Sequence, residues 1–381
     1  MMESRPTESI ADRNILIVGG GLAGLAFATY LARAGAEPTI VERRTEWGDG
    51  GYGIGLWGDG HAVLNDLDCL SAVREAATDP RTVAVRASED GVLARLSIPP
   101  DRTLLLAVHR GDLHATLRAG IPRSWLRMDT EPTTITETSD AVAVTFDDGS
   151  TEPFDLVVGA DGVHSSVREQ CFTDWRVREH DTYIWSLWSR QDVDIGPDMT
   201  SVWGPGSEGF VARIGDRVGF NLAARLETPP SPPARDLLRT QAETIGWKLP
   251  ALLDQTDAEP FFDRVRDVTC ERWHTDRVVL IGDAAHAVHP TSGMGASLAL
   301  QDARVLAQEL LTTADGPPRR AFRRFERRRR PDANRIRRAA RLEAAVTFLE
   351  SPLLRRVRNG LTKHTPLFER FVRRTTRETG R

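Results

Sequence analysis

A glycine-rich turn near the amino terminus constrains the fold more than any other feature of the chain. The apolar segment Asn14–Val18 leads into Gly19–Gly24, and a second predicted strand, Thr39–Val41, ends at Glu42. The glycines of the pattern G-x-G-x-x-G are Gly19, Gly21 and Gly24. The first permits a tight turn, the second lets the backbone approach a pyrophosphate, and the third lets the helix pack on the strand. Strand, turn, helix, strand and ribose-binding acid in this order predict a Rossmann-like α/β domain that binds a dinucleotide.

A second glycine-rich segment follows a predicted strand late in the chain. The apolar run Val278–Ile281 precedes Asp283, and Gly293 and Gly295 open a strongly helical segment. A carboxylate beside a helix N-terminus suits a ligand that offers both hydroxyls and anionic oxygens. The pattern therefore predicts contact with the ribityl and phosphate portion of a flavin nucleotide.

A third segment lies between these two. Its apolar residues after Asp155 predict a buried strand, which turns at Gly159–Gly162. Ser165 or Ser166 is expected to cap the next helical turn, while Asp161 and Arg168 are near enough in sequence to pair. An Asp-Gly turn alone would indicate only a loop.

The pattern G-x-G-x-x-G occurs a second time, but there it predicts a hairpin. It consists of Gly204, Gly206 and Gly209, with Pro205 inside it. The flanking segments Ser201–Trp203 and Phe210–Ile214 have the character of strands, and no helix follows to face a phosphate. We therefore expect one dinucleotide fingerprint, not two.

In this order and spacing, the three segments resemble the FAD-dependent aromatic hydroxylases, the class A flavoprotein monooxygenases that include salicylate hydroxylase and zeaxanthin epoxidase-like members. That family carries GxGxxG, a central DG motif, and a late GD motif followed by P-x-x-G-x-G. The last element is matched by Pro290, Gly293 and Gly295. Two more segments are similar to family segments: Gly53-Ile-Gly-Leu56 and Val108-His-Arg110-Gly-Asp-Leu113. The resemblance runs from about residue 14 to residue 341.

The resemblance implies roles for individual residues. The Gly19–Gly24 turn would hold the FAD pyrophosphate, Glu42 the adenosine ribose, and Arg110 the flavin side. Asp283 would bind the ribityl chain, and the Gly293–Ala296 backbone would approach the ring. Asp161, Gly162 and Arg168 match an element that the family uses for both FAD and NAD(P)H. The full expected set of cofactor-binding residues is Gly19, Gly21, Leu22, Ala23, Gly24, Glu42, Arg43, Arg110, Asp161, Asp283, Gly293, Gly295 and Ala296.

The resemblance also implies an activity. An enzyme of this kind uses NADH or NADPH as a transient co-substrate and inserts one oxygen atom from O2 into a small aromatic or unsaturated substrate through a flavin hydroperoxide. Because the cofactor carries the chemistry, no catalytic residue is assigned. His286 and His289 are interpreted as hydrogen-bonded loop residues.

The middle of the chain predicts a mostly antiparallel sheet beside the FAD domain. Its short predicted strands are Tyr183–Trp188, Ser201–Trp203, Phe210–Ile214 and Val218–Ala223. Candidate substrate-pocket residues are Trp185, Phe210, Arg213, Phe220 and Pro290, although aromatic residues in strands are more often core. We expect a discontinuous FAD domain (residues 11–82, 101–176 and 270–345), a substrate sheet domain (83–100 and 177–269) and a basic helical segment (346–381).

The composition of the chain bears on its cellular compartment and on the partners that it can bind. The three cysteines, Cys69, Cys171 and Cys270, are scattered without metal-ligand spacing, which favours a reducing cytoplasm and no metal site. No apolar run is long enough to cross a bilayer. From Arg319 onward there are 21 basic and 6 acidic residues. We interpret this segment as packing against an acidic body, in a monomer or a homodimer, rather than as binding nucleic acid or a membrane.

Other functions stay open on the sequence alone. A halogenase would carry W-x-W-x-I-P, and Trp185-Ser-Leu-Trp188 has the wrong spacing. A flavin-dependent reductase of isoprenoid double bonds shares two of the motifs, but the segment Pro290–Gly295 favours an oxygenase. A non-catalytic flavoprotein scaffold or redox sensor is not excluded by any sequence feature.

Overall fold

The fold is that of a computed structural model, which describes residues 10–48, 51–189, 193–231, 234–256, 259–313, 317–366 and 368. In this part of the chain the strands are β1 (Ile15–Val18), β2 (Thr39–Glu42), β3 (Gly53–Trp57), β4 (Thr82–Ala87), β5 (Gly91–Ser97), β6 (Leu105–His109), β7 (Leu126–Met128), β8 (Pro132–Glu137), β9 (Val142–Phe146), β10 (Thr151–Phe154), β11 (Leu156–Gly159), β12 (Trp175–Ser189), β13 (Met199–Gly204), β14 (Ser207–Ile214), β15 (Arg217–Arg225), β16 (Phe261–Cys270) and β17 (Val278–Leu280). The helices are α1 (Leu22–Arg33), α2 (Gly58–Asp66), α3 (Leu70–Ala76), α4 (Arg110–Ala119), α5 (Ser166–Cys171), α6 (Arg235–Ile245), α7 (Leu249–Asp254), α8 (Asp283–His286), α9 (Gly295–Thr312), α10 (Pro318–Thr347) and α11 (Pro352–His364).

A five-stranded parallel sheet carries the nucleotide-binding half. Its strand order is β17-β11-β1-β2-β7, and neighbouring strands pair in parallel. All four residues of both β1 and β11 are buried, as expected for central strands covered on both faces. Because the strands are parallel, the loops after β1, β11 and β17 meet at one edge of the sheet.

A seven-stranded sheet forms the second layer, in the order β16-β12-β15-β14-β13-β4-β5. Every pair in it is antiparallel except β4 with β13. One face is covered by α6 and α7, which contribute Leu238, Ile245 and Leu249 to a core shared with the sheet. The predicted fold class, a Rossmann-like α/β domain with a mostly antiparallel sheet and C-terminal helices, is confirmed. The residue boundaries of the two domains stay a prediction.

The rejected glycine pattern is a hairpin, as predicted. Strands β13 and β14 pair from Met199 with Ala212 to Gly204 with Ser207, so that only Pro205 and Gly206 form the turn. Gly206 has a φ of +58°, a left-handed conformation that glycine adopts without a steric penalty.

The basic helix α10 binds the body of the protein through its arginines. Arg329 donates to Asp302 (2.7 Å) and Arg328 to Glu309 (2.7 Å), while Arg341 pairs with Asp267. Arg337 donates to the carbonyl of Val268 (3.0 Å). For α10, the interpretation that basic residues pack against an acidic body is therefore confirmed. The segment 369–381 lies outside the described residues.

Candidate FAD and substrate site

The glycine turn after β1 leaves the N-terminus of α1 open to a ligand. Gly19 has a φ of +106°, and a Cβ there would overlap the carbonyl of Ala160. A Cβ on Gly24 would overlap the carbonyl of Gly19, so the third glycine is required for the close approach of helix and strand. Gly21 is the N-cap of α1 and supplies no side-chain acceptor to the helix. The first backbone N–H groups of α1 therefore stay available for an anion.

A cleft extends from this turn between the ends of β1, β2 and β11. It is lined by Val18, Gly19, Gly20, Gly21, Val41, Glu42, Arg43, Arg44, Trp47, Gly48, Arg110, His114, Thr130, Glu131, Pro132, Ala160, Asp161, Gly162, Val163, His164 and Ser166. Three arginines and a helix N-terminus at one end suit a pyrophosphate, and a carboxylate at the end of β2 suits a ribose. The donor set of this cleft thus fits the adenosine and pyrophosphate part of FAD.

Glu42 is held at the rim of the cleft by backbone groups. Its Oε2 accepts from the N–H of Gly20 (3.0 Å) and its Oε1 from the N–H of Arg44 (3.2 Å). The carboxylate is thereby fixed beside the glycine turn. It keeps further lone pairs for a ribose hydroxyl.

The loop after β11 places Asp161 next to the glycine turn. Its Oδ2 accepts from the hydroxyl of Ser166 (3.2 Å) and the N–H of Val167 (3.1 Å), while Oδ1 is buried without a hydrogen-bond partner among the described residues. Burial raises the pKa of Asp161, and these hydrogen bonds oppose the rise. Ser165 caps α5 by accepting from the N–H of Arg168 (2.9 Å), as expected.

Arg168 does not use Asp161 as its partner. Its guanidinium donates to the carbonyls of Ala284 (2.9 Å) and Val163 (2.8 Å) and lies 4.9 Å from the ring centroid of Trp175. The side chain therefore ties the loop after β11 to the loop after β17.

Asp283, Arg110 and Tyr52 meet on the far side of the cleft. The N–H of Arg110 donates to the carbonyl of Tyr52 (3.0 Å), and its guanidinium lies 5.7 Å from the Tyr52 ring centroid. Surrounding protein raises the pKa of Asp283, while the charges of His286 and Arg110 oppose the rise. Asp283 nevertheless keeps an exposed surface, so water and a ligand can reach its carboxylate.

A buried ionic network supports the loop that carries Asp283. Asp302 on α9 accepts from the N–H of Gly282 (2.9 Å), the imidazole of His286 (2.5 Å) and the Nε of Arg329 (2.7 Å). Burial opposes ionisation, but the neighbouring His286 and Arg329 charges win and hold the pKa of Asp302 at about 2. Both histidines are hydrogen-bonded, as predicted, since His289 accepts from the N–H of Thr291 (3.4 Å). His286 is the last residue of the short helix α8 rather than a loop residue.

The segment Pro290–Ala296 lies against β3. The indole of Trp57 donates to the carbonyl of Gly293 (3.2 Å), and the N–H of Trp57 donates to the Ser297 hydroxyl (3.0 Å). Gly293 has a φ of +60°, while a Cβ on Gly295 would meet nothing within 4 Å. Backbone rather than side chains is presented here, which agrees with the expected approach to a flavin ring.

Of the five candidate pocket residues, the structure places two near this segment and three elsewhere. Trp185 and Phe220 are fully buried in the core under α6 and α7. Arg213 alternates in step with Val211, which belongs to that same core, and so lies on the same face. Phe210 packs on the opposite face, in a cluster with Trp57 and Leu105. Pro290 begins the turn beside β3.

Several cleft residues were not predicted from the sequence. Trp47 and His114 pack with ring centroids 4.7 Å apart, and His114 bonds the carbonyl of Gly20 (2.8 Å). His114 lies four residues after Arg110 on α4, so helical spacing could have indicated it. Tyr52 precedes the matched segment by one residue and carried no motif of its own.

The described residues contain neither a metal-site cluster nor a membrane-spanning helix. No cluster of three or more His, Cys, Asp or Glu side chains has the arrangement of a metal site there. No described helix has the length and apolar character needed to span a membrane.

Comparison with known proteins decides the family. Residues 12–340 match the family model described as "FAD binding domain". The chain is a class A flavin monooxygenase. A 3-amino-4-hydroxybenzoate 2-monooxygenase of Streptomyces platensis is 31% identical over 355 residues, which cover 86% of each chain. A 2-heptyl-3-hydroxy-4(1H)-quinolone synthase of Pseudomonas aeruginosa is 31% identical over 306 residues, covering 77% of this chain and 80% of that relative.

A solved structure shares the fold. HpxO of Klebsiella pneumoniae, complexed with FAD and uric acid, superposes with a TM-score of 0.87 at 22% identity and covers 99% of each chain. This monooxygenase is therefore an FAD-dependent oxidoreductase, and the predicted family, enzyme class and FAD cofactor are confirmed.

Proposed function

We propose that this monooxygenase uses NADH or NADPH and O2 to hydroxylate a small aromatic substrate. The observation that carries the proposal is the convergence of three loops, after β1, β11 and β17, at one edge of the parallel sheet. The open N-terminus of α1 and Asp161 border the cleft, and Asp283 follows β17 near enough to Arg110 of the cleft for that charge to act on it. The two relatives support an aromatic rather than an alkene substrate, because their names state a hydroxybenzoate and a quinolone.

The residues of the chain itself would bind FAD and orient it. The α1 N-terminus and the arginines of the cleft would hold the pyrophosphate of FAD, Glu42 the ribose, and Asp283 the ribityl hydroxyls. Bound FAD supplies the redox chemistry, which consists of accepting a hydride and activating O2 for transfer of one oxygen atom. The backbone of Gly293–Ala296 would border the ring, and the indole of Trp57 fixes that backbone.

An apolar layer between the two sheets would exclude water from the reacting edge of the flavin. Trp57 and Phe210 pack in one cluster with Leu105 between β3, β6 and the seven-stranded sheet. Such an apolar layer beside the reacting edge limits unproductive oxygen chemistry. The substrate would lie between this layer and the Pro290–Gly293 turn.

NAD(P)H is proposed to bind transiently, because the chain has one dinucleotide fingerprint and its cleft fits FAD. The domain boundaries, the cytoplasmic location and the monomeric or homodimeric state also remain proposals. Protein purified from cells should contain FAD and no nicotinamide. Nicotinamide retained through gel filtration would contradict this part.

The proposal is tested by following NAD(P)H oxidation with a panel of hydroxylated and amino-substituted aromatic compounds under isotopically labelled O2. A substrate should accelerate NAD(P)H oxidation and yield a product that contains one labelled oxygen atom. If every compound in the panel gives only hydrogen peroxide and an unlabelled ring, the proposed hydroxylation is wrong.

A further inference from the structure

One face of the seven-stranded sheet, which we call the open face, lies opposite α6 and α7. Because side chains alternate along strands, the residues paired across this face can be followed from the register. One row consists of Ser186, Asn221, Phe210 and Ser201, each paired with the next. The adjacent row consists of Ile184, Ala223, Glu208 and Trp203. Phe210 packs against the same small apolar cluster as Trp57, whose indole donates to the carbonyl of Gly293, so the first row faces the side of the sheet on which the Pro290–Gly293 turn lies.

Glu208 is the acidic residue of these two rows. Its Oε1 accepts from the hydroxyl of Ser201 at 2.6 Å, and the residue is partly exposed. Of its strand partners, Ala223 offers no polar side chain, and Trp203 offers a hydrogen bond but no charge. A carboxyl group thus stands on the open face next to the row that contains Phe210.

Helix α10 brings a second carboxyl group to the same place. Arg341 binds Asp267 on β16, at one edge of the sheet, and the carbonyl of Leu349 accepts from Gly206 in the β13–β14 turn (3.1 Å). The end of α10 therefore crosses the open face between these two points. Glu343 lies in this crossing segment.

The helical spacing places Glu343 on the face of α10 that packs against the body of the protein. Ile336, Ala340 and Glu343 stand at i, i+4 and i+7, on one stripe of α10. Ile336 packs against Met294 and Val288, next to the proposed flavin position, and Ala340 is buried. Glu343 follows on the same stripe toward Glu208.

The negative charge of Glu208 acts on the carboxyl group of Glu343. Burial raises the pKa of Glu343 to about 8, and the negative charge of Glu208 adds to the rise. Burial likewise raises the pKa of Glu208 to about 7, opposed by the Ser201 hydroxyl and by the charge of Arg358. Two like charges this close disfavour each other, so a positive or proton-donating ligand would relieve the pair.

Arg358, whose charge acts on Glu208, has hydrogen-bond partners of its own. Arg358 donates to the carbonyls of Val346 (3.1 Å) and Thr347 (2.8 Å) and lies 4.6 Å from the ring centroid of Trp203. The salt bridges found among the described residues include none to Glu208 or to Glu343. A cationic ligand would therefore supply the direct ion pair that neither carboxyl group forms among the described residues.

We propose that Glu208 and Glu343 form an acidic subsite at the border of the proposed substrate position between the apolar layer of Trp57 and Phe210 and the Pro290–Gly293 turn. This subsite selects an aromatic substrate carrying an amino or other cationic nitrogen group and disfavours one carrying a carboxylate. The inference rests on the proposed function, since it assigns the substrate class of that position. A cationic nitrogen would favour ionisation of both carboxyl groups and donate to them, whereas a carboxylate would oppose that ionisation and be repelled by the negative charge of Glu208, whose pKa is raised only to about 7.

The test measures binding to the oxidised FAD-bound enzyme by isothermal titration calorimetry, without NAD(P)H, so that no turnover occurs. The probes are meta-hydroxybenzylamine, meta-hydroxybenzyl alcohol and meta-hydroxybenzoate, which have similar size but differ in charge. The variants are Glu208→Gln, Glu343→Gln and the double variant. Glu75→Gln, an exposed residue on α3, is the matched control.

We expect the wild-type enzyme and Glu75→Gln to bind the amine about tenfold more tightly than the carboxylate, with the alcohol between them. Each single variant should narrow that ratio about threefold, and the double variant should abolish it. Thermal unfolding of each variant confirms that it is folded. Replacement of a carboxyl that resists ionisation by an amide of the same shape should not unfold the sheet.

Three results would overturn the inference: tighter or equal binding of the carboxylate, no binding of the amine at millimolar concentration, or an unchanged ratio in the double variant. Its failure is distinguishable from failure of the proposed function. If the enzyme hydroxylates carboxylate-bearing rings well, the function stands and the acidic subsite is wrong. If the enzyme prefers the amine but oxygenates no compound, the acidic subsite stands and the proposed function is wrong.

Discussion

The replacement Asp302→Asn should destabilise the enzyme more than any comparable surface change. The Asp302 side chain is 0% exposed and accepts hydrogen bonds from Gly282, His286 and Arg329. The amide keeps the shape but removes the negative charge. Arg329, which is 4% exposed, would then remain buried beside a neutral partner.

Two arguments give similar values for the free energy of unfolding that Asp302→Asn should remove. Removing one member of a buried ion pair costs about 3–5 kcal/mol, and the amide oxygen can still accept one bond, so the lower end, about 3 kcal/mol, applies. The fall in the pKa of Asp302 from 3.8 to about 2 corresponds to about 2 kcal/mol of stabilisation. Because this carboxyl pKa is lowered on folding, the stabilisation is present above pH 3.8 and is lost as the pH falls toward about 2.

The assay is urea denaturation at neutral pH, followed by tryptophan fluorescence. The matched control is Asp276→Asn, since Asp276 forms an exposed pair with Arg319 (3.1 Å) and should contribute less than about 1 kcal/mol. We expect Asp302→Asn to lower the free energy of unfolding by about 3 kcal/mol. A loss no larger than that of the control would refute the reasoning that this network supports the Asp283 loop.

Three further changes have distinct expected outcomes. Gly24→Ala should purify with little FAD, because its Cβ would overlap the Gly19 carbonyl, whereas Gly120→Ala, with open space around it, should keep full occupancy; equal occupancy would count against the turn geometry. Trp185→Ala should lower the free energy of unfolding by about 3–5 kcal/mol without changing the substrate KM, and a large KM change in a stable variant would restore Trp185 to the pocket. In the wild type, folded Glu208 keeps its proton while the unfolded chain loses it, so stability falls between about pH 4.5 and about pH 7. Glu208→Gln should lack this part of the fall, and melting curves that stay parallel to the wild type across that range would contradict the raised pKa.

The cofactor half of the fold could be predicted because its constraints are local. Gly19, Gly24 and Gly206 each satisfy a backbone requirement that the sequence displays within a few residues. The strand before each turn is apolar throughout, as a buried parallel strand must be. The order of motifs then placed Asp161 and Asp283 at one sheet edge.

The substrate half could not be predicted to the same depth, because the face to which a strand residue points depends on distant partners. Trp185 and Phe210 have similar sequence surroundings, yet α6 and α7 cover the face of the first and leave the face of the second open. Period-two alternation indicates which residues share a face, but not which face meets the flavin. The position of Glu343 depends on the path of α10 across the sheet, and no local sequence pattern contains that path.

The most direct test of the central claim is the flavin content of Asp283→Ala after purification under the same conditions as the wild type. The claim is that the three loops at the sheet edge hold FAD, with Asp283 on the ribityl chain. The flavin absorbance relative to protein should fall markedly in Asp283→Ala and stay at the wild-type level in Asp276→Ala, an exposed control that lies before β17, at the opposite end of that strand from Asp283. Full flavin occupancy and an unchanged FAD dissociation constant in Asp283→Ala would contradict the account.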